Sequence, residues 1–587
     1  MTGPDAGDTA ARLPLGRVAI VWAGLCALTL AIGAKAILAG RFPDPDDVLR
    51  MVQLRDWLGG QSWFDVTQYR IDPPAGVPMH WSRLVDVPLA LVTLALQPLL
   101  GAATAQMAAA VIVPLVTLGC LVAVVGWIAS RHFDREVVGI ACLSCALVPA
   151  TIAKFQPLRI DHHGWQVVTV ALAAATLFAA RPKRGAAVAG LALATGLSIS
   201  LEVLPFAAAF AGVLALRWLA DAQRRELAPF MVALAGGGVA NFAATRGLAD
   251  LRPWCDAIAP AHLAFFAVVA LGCVLTARAA PSRRVALVAA LAGAGFMGLV
   301  AYAAIAPQCL STPFGQLDPV VRHYWYENVA EGLPAWRQRP GELAGTLAPL
   351  VAAAVALVML WRQSAGEARE QWGGYALLFA AACATGLLVW RSTAFAGALA
   401  AVPLGWLIVR ALAWLRARSS PGAGLAAAAA ALALAGTAPV LAPAARAQRT
   451  SGEAPPAVRL SSCDLRESAP ALNRFAPATL FAPLDIGPSL IERSHHSTVA
   501  TGHHRARAAM RDVITAFMAD EAEARAIVAR HGATLLVVCT DLAEPHNYAA
   551  DAPHGLMARI LRGEAPDWLE PVDIGAPPTL KVWRVRG

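Results

Sequence analysis

Charge is what this sequence has least of. Asp, Glu, Lys and Arg make up 15% of its 587 residues, against 57% hydrophobic, and the mean hydropathy is +0.55. A soluble domain could not bury that much apolar side chain, so the class is polytopic α-helical membrane protein. Paired metal-finger cysteines are missing as well. Six of the ten cysteines lie inside hydrophobic runs, and the one CxxC, Cys142 with Cys145, is among those six and has no second pair. Only Cys255, Cys309, Cys463 and Cys539 fall in polar segments. No internal repeat is visible, which weighs against a transporter or flippase of lipid-linked anionic glycans built from related halves. The net charge is +9, but much of the surplus sits in short loops between hydrophobic runs and calls for no nucleic-acid partner.

What is present is a succession of apolar runs. Thirteen are long enough to cross the hydrocarbon core as helices: 18–38, 105–129, 137–154, 165–181, 185–201, 204–219, 227–244, 260–279, 284–305, 343–361, 373–390, 392–415 and 422–445. The first follows a lone Arg17 and is followed by no convincing cleavage site, so it reads as a retained membrane helix. The run 88–101 is short and reads as a half-helix or re-entrant piece. With the N-terminus inside, loops such as "SRHFDRE", "RPKR", "DAQRRE" and "ARAAPSRR" become cytoplasmic, and each carries at least two basic residues. An odd span count then sends the C-terminus outside. The expected organisation is a membrane body over 1–445, with external loops 41–104 and 306–342, and an extracytoplasmic α/β domain over 446–587. In that domain 533–541 and 579–587 read as strands, and 508–532 as one or two amphipathic helices. Cys463 and Cys539 both fall there, where a disulfide would persist; two separate buried thiols are the alternative.

Four polar clusters land on the outer side. The first is Asp44, Asp46 and Asp47 in "FPDPDDVLR" (42–50), where acids suit the first turn and positive end of a following helix. The second is "RIDHHGWQ" (159–166), in which Asp161, His162 and His163 form a compact oxygen-plus-imidazole set. Such a set favours manganese, zinc or iron over calcium and still admits magnesium; the plainer alternative is an interfacial polar turn. Glu331 lies in the third cluster, a long external loop, where by itself it reads as a solvated acid. The fourth is Arg391, flanked by apolar runs, which either snorkels to the surface or holds a fixed anion.

Taken together the clusters resemble the catalytic subunit of oligosaccharyltransferase, a member of the GT-C superfamily of polyprenyl-linked sugar transferases. "DPDDVLR" (44–50) is similar to that family's D-P-x-x-N-Y-R pattern after the first span, placing Asp44 and Arg50. "DHHG" (161–164) stands where the family has its DxD-type motif, with Asp161 and His163 in the two ligand positions. "NVAEGLP" (328–334) is similar to S-V-S-E-x-x-P and places Glu331, and Arg391 matches an arginine that holds the donor's phosphates. The resemblance implies a divalent metal, Mn²⁺ or Mg²⁺, on Asp44, Asp161 and His163, and Glu331 acting at the acceptor. It implies transfer of a sugar or oligosaccharide from a polyprenyl-(pyro)phosphate donor, with inversion, on the outer face of the cytoplasmic membrane. Asp46 and Asp47 are then further ligands or the helix cap. One motif departs: "FAPLDIGPSL" (481–490) has Asp485 and Gly487 but no tryptophan pair, so a protein, a glycan or a lipid all stay open as acceptor. A catalytically inactive scaffold of the same architecture is a further alternative.

Two stretches fall outside these motifs. "PMHWSRLVD" (78–86) is amphipathic and suggests interfacial anchoring by Trp81 and Arg83, with active-site lining as the alternative. His495, His496, His503 and His504 read as surface histidines ahead of a second metal site.

Overall fold

The computed structural model describes residues 13–311, 314–315, 317–418 and 461–586. The chain divides into two compact units. One comprises Met1–Lys35, Ala110–Thr312 and Leu333–Arg449, and the other Ala36–Ala109, Pro313–Gly332 and Thr450–Gly587.

Helices occupy twelve of the thirteen expected runs; the run 422–445 lies outside the described residues. Among the described residues nine helices are long and apolar enough to cross a membrane, or ten if Arg135–Ser144 and Pro149–Phe155, bent by 73°, form one span. The protein is thus multi-pass. Three of the expected runs fall short of a single straight apolar span: 137–154, 165–181 and 185–201. Pro149 opens a new helix after the break, and Pro182 starts the helix Pro182–Ile199, leaving Arg181 outside helical geometry at φ −121° and ψ 88°. The apolar helix His163–Phe178 is short, its backbone turning extended at Ala179 (φ −75°, ψ 134°) ahead of Pro182. The helix Asp86–Leu100, too, is apolar and short, as the run 88–101 suggested.

In the first unit small residues let helices approach closely. A Cβ on Gly190 would meet the carbonyl of Phe230 at 2.4 Å, and one on Gly405 would meet the Cα of Ala141 at 2.4 Å. Large apolar side chains such as Val285, Phe296 and Val351 point outward, as hydrocarbon permits and water would penalise. The basic loops bond to one another: Arg17 Nη1 donates to Arg135 O at 2.6 Å, Arg225 Nη1 donates to Ala277 O at 2.8 Å, and Arg224 pairs with Glu370. Beyond the far end of the helix Leu227–Thr245, Cys255 and Cys309 form a disulfide with Cα atoms 5.1 Å apart.

The second unit is α/β. Its main sheet has the strand order β4-β3-β5-β7-β6, with β3 Thr479–Phe481, β4 Ser497–Thr498, β5 Ala533–Cys539, β6 Leu569–Pro571 and β7 Leu580–Val585. β4, β3 and β5 run parallel, while β7 is antiparallel to β5 and β6 to β7. The amphipathic stretch 508–532 forms two helices, Arg507–Met518 and Glu521–Arg530, because Asp520 caps the second by accepting from Glu523 N. Cys463 and Cys539 are bridged, with Cα atoms 5.9 Å apart. The four cysteines of polar segments are therefore the four that pair.

Residues far earlier in the chain complete this unit. β1 Thr67–Gln68 and β2 Val77–Pro78 form a small hairpin whose loop covers the β4 edge, with Ile71 bridged to Thr498 and Arg70 Nη2 donating to His496 O at 2.7 Å. Trp81 and Arg83 are 2% and 1% exposed, which corrects the reading of them as interfacial anchors. They sit in a buried ionic group: Arg50 Nη1 donates to Asp86 at 2.7 Å, Arg83 Nη1 donates to its other oxygen at 3.3 Å, and Trp81 lies under Arg50, 4.6 Å from guanidinium carbon to ring centre.

Candidate functional site

In the first unit the "DHHG" turn opens the helix His163–Ala175. Asp161 Oδ1 accepts the backbone N–H of His163, the first residue of the helix, at 2.9 Å, and its Oδ2 stands 3.9 Å from the imidazole Nε2. Arg159 Nε stands 3.0 Å from the same Oδ2. Burial alone would favour the neutral carboxyl of Asp161. The charges of His163, Arg159, Lys154 and His162 outweigh that and hold it well below the usual carboxylate range. Asp161, His162 and His163 are all buried.

The other ring nitrogen faces elsewhere. His163 Nδ1 is 3.1 Å from Gln166 Oε1 and 3.6 Å from Glu202 Oε2. Glu202 sits in the tight turn Leu201–Val203, where Ser200 Oγ accepts its backbone N–H at 3.3 Å. Its second oxygen, Oε1, is 2.5 Å from Arg391 Nη2. Arg391 is itself in a tight turn, Trp390–Ser392, ahead of the helix Thr393–Arg418. Three segments distant in sequence thus meet: 159–166, 202 and 391. Glu202 was missed by sequence reasoning. The available signal was a single acid inside the apolar stretch "SISLEVLPF" (198–206), of the kind that is costly in a membrane without a use.

The donors suit a divalent ion. Asp161 Oδ2 and His163 Nε2 are within about an ångström of the roughly 3–3.5 Å that separates two ligands of one small ion. One oxygen and one imidazole nitrogen is a set that manganese or zinc accepts. Arg159 Nε stands beside Oδ2 as an ion pair at 3.0 Å, and an sp² oxygen carries two lone pairs.

The remaining predicted residues belong to the second unit. Asp44 is the N-cap of the helix Pro45–Leu58, accepting from Asp46 N at 3.0 Å. Asp46 Oδ1 is 3.3 Å from His503 Nε2, and Asp47 is buried in the first turn. Arg50 is held by Asp86 and Trp81 as described above. Glu331 lies half-buried in the turn Ala330–Gly332. Asp485 is open to solvent at its surface yet ringed by protein. Desolvation raises its carboxyl first, and the charge of Asp44 raises it further. Behind it Glu544 accepts the backbone N–H groups of Leu484 at 2.7 Å and Asp485 at 2.9 Å, and Tyr548 Oη donates to it at 2.6 Å. Burial first, and Asp485 second, push Glu544 up to about 8.

Two of the four histidines thought to lie at the surface are buried. His496 Nδ1 accepts from Ala478 N at 3.1 Å and its Nε2 donates to Leu472 O at 2.9 Å, so both nitrogens serve the backbone. His503 stands edge-on to Trp81, ring centres 5.1 Å apart.

No protein-family model matches the chain, and no curated protein matches its sequence. Solved structures do match. The oligosaccharyltransferase AglB from the archaeon Archaeoglobus fulgidus, in complex with an inhibitory peptide and a dolichol-phosphate, aligns over 97% of this chain and 76% of its own at TM-score 0.65 and 13% identity. An Archaeoglobus fulgidus oligosaccharyltransferase tethered to an acceptor peptide containing the NVT sequon aligns over 97% and 76% at TM-score 0.61 and 13% identity. Its complex with Zn and sulfate aligns over 95% and 72% at TM-score 0.56 and 15% identity. At such identities the likeness is one of architecture: the chain has the fold of an archaeal oligosaccharyltransferase, a multi-pass helical body with a C-terminal α/β region.

Proposed function

We propose that the protein is a membrane glycosyltransferase that moves a sugar or oligosaccharide from a polyprenyl-(pyro)phosphate donor to an acceptor on the outer face of the cytoplasmic membrane. The observation that carries this reading is the meeting of Arg391 with the Asp161–His163 pair through Glu202. A cation suited to phosphate and a donor set suited to a divalent ion stand together in a unit otherwise built of apolar helices. The dolichol-phosphate and acceptor peptide in the archaeal neighbours support a lipid-linked donor and a peptide acceptor. A glycan or lipid acceptor stays compatible with the missing tryptophan pair.

Cleavage of the anomeric C–O bond leaves charge on the departing phosphate. Arg391 would bind that phosphate through its guanidinium. Asp161 and His163 would hold a divalent ion, which supplies Lewis-acid neutralisation of the same charge. In the second unit Asp44 is assigned to the acceptor's proton and Glu331 to the acceptor. Inversion follows if the acceptor attacks the face opposite the phosphate. The zinc of one archaeal neighbour supports a metal in this fold.

The outer face is supported by chemistry in both units. The disulfides Cys255–Cys309 and Cys463–Cys539 persist in oxidising compartments. In the first unit the bridge and the loop of Arg224 and Arg225 are separated by the helix Leu227–Thr245, as the positive-inside rule requires. The test is a comparison of lipid-linked glycans and surface glycoconjugates between wild-type and deletion strains. Donor accumulates and one glycoconjugate vanishes if the reading holds; unchanged pools of both would contradict it.

A further inference from the structure

We propose that Glu202 is the positioning carboxylate of His163 and is shared with Arg391, so that the ion site and the phosphate-binding arginine are linked through one side chain. This rests on the reading of Asp161 and His163 as holders of a divalent ion. The two imidazole nitrogens have different neighbours: Nε2 faces Asp161 Oδ2 at 3.9 Å, whereas Nδ1 faces Gln166 Oε1 at 3.1 Å and Glu202 Oε2 at 3.6 Å. Two oxygen acceptors beside Nδ1 select the tautomer with the proton there. That leaves the Nε2 lone pair directed to the Asp161 side, the only side where the pair can ligate an ion. A carboxylate behind a ligating imidazole also makes the ring a stronger base.

Glu202 divides its oxygens. Oε1 takes Arg391 Nη2 at 2.5 Å, while among the described residues Oε2 is buried and receives no hydrogen bond, since the imidazole stops just short of one. The backbones on either side are fixed by tight turns, Leu201–Val203 and Trp390–Ser392, so the side chain alone decides the sharing. A phosphate that takes the guanidinium lets Glu202 close on His163, which strengthens the imidazole as a ligand. By reciprocity an ion on His163 makes Arg391 easier for a phosphate to take.

The test is Mn²⁺ binding to the purified full-length protein in detergent, read by electron paramagnetic resonance with no sugar donor present. Glu202→Ala is expected to weaken Mn²⁺ on the order of 10–100-fold, and Glu202→Gln, which keeps an acceptor oxygen but no charge, to fall between it and wild type. Arg391→Ala, by releasing Glu202 to His163, is expected to tighten Mn²⁺ about threefold or more, in the range of couplings seen between contacting side chains. That gain must vanish in the Glu202→Gln background. Wild-type Mn²⁺ affinity in Glu202→Gln, or an equal gain from Arg391→Ala in both backgrounds, overturns the proposal, because removal of a nearby cation would then explain everything. Asp161→Ala separates the two levels. If it binds Mn²⁺ as wild type does, the ion site itself is wrong; if it loses Mn²⁺ while both Glu202 variants keep it, only the role of Glu202 is wrong.

Discussion

Arg50 donates from Nη1 to Asp86 Oδ1 at 2.7 Å, with neither side chain more than 1% exposed. The pair joins the helix Pro45–Leu58 to the start of the helix Asp86–Leu100, and Arg83 takes the second oxygen, 3.3 Å away. A buried ion pair adds little over a well-packed apolar pair, but removing one partner leaves the other charge stranded. Asp86→Ala should therefore destabilise the second unit by about 3–5 kcal/mol, seen as faster proteolysis of that unit and a lower unfolding temperature. Wild-type resistance to protease would show that water reaches Arg50 and Arg83.

Cysteine accounting gives a second expectation. Protein denatured without reductant should take up alkylating agent at the six cysteines outside bridges, and at four more only after reduction. Peptide mapping should join Cys255 to Cys309 and Cys463 to Cys539. Ten accessible thiols before reduction would remove both bridges, and with them the chemical support for an oxidising compartment.

Glu544 should make stability depend on pH. Its carboxyl is pushed up to about 8 by burial first and Asp485 second, from an ordinary value of 4.5. Between those values the folded state holds a proton that the unfolded state has released. The stabilisation is fully present below about pH 4.5 and is lost as pH rises toward 8. The unfolding temperature of wild type should fall over that window, and Glu544→Gln, which cannot ionise, should flatten the fall. An unchanged slope in Glu544→Gln would mean that another group carries it.

Much of this was legible in the sequence, for identifiable reasons. Apolar length set the helices, and Pro149, which follows the bend in one of them, was visible too. The acid–imidazole turn at Asp161 and the lone cation Arg391 stood out because charge beside long apolar runs is rare. The pairing of the polar cysteines followed their context, although only Cys463 with Cys539 was anticipated. Trp81 and Arg83 misled because an amphipathic pattern reports that one face is covered without naming the cover. Here the cover is a unit assembled from stretches that begin at Ala36, Pro313 and Thr450. His496 and His503 misled for the same reason, since a polar ring can be buried once backbone groups or a carboxylate meet its nitrogens. Glu202 carried a signal, but its meaning comes from the fold, which sets Arg391 2.5 Å away.

The central claim is glycosyl transfer that depends on Asp161 and Arg391, and it is tested most directly by the level of lipid-linked glycan in a deletion strain complemented with wild type, Asp161→Ala or Arg391→Ala at equal expression. Electrostatic contacts of this kind supply on the order of 100-fold or more in rate. Wild type should therefore return the accumulated donor to its normal level, while both variants leave it high and the glycoconjugate absent. Full restoration by both variants would contradict the account and bring back the transporter or scaffold reading of the same fold.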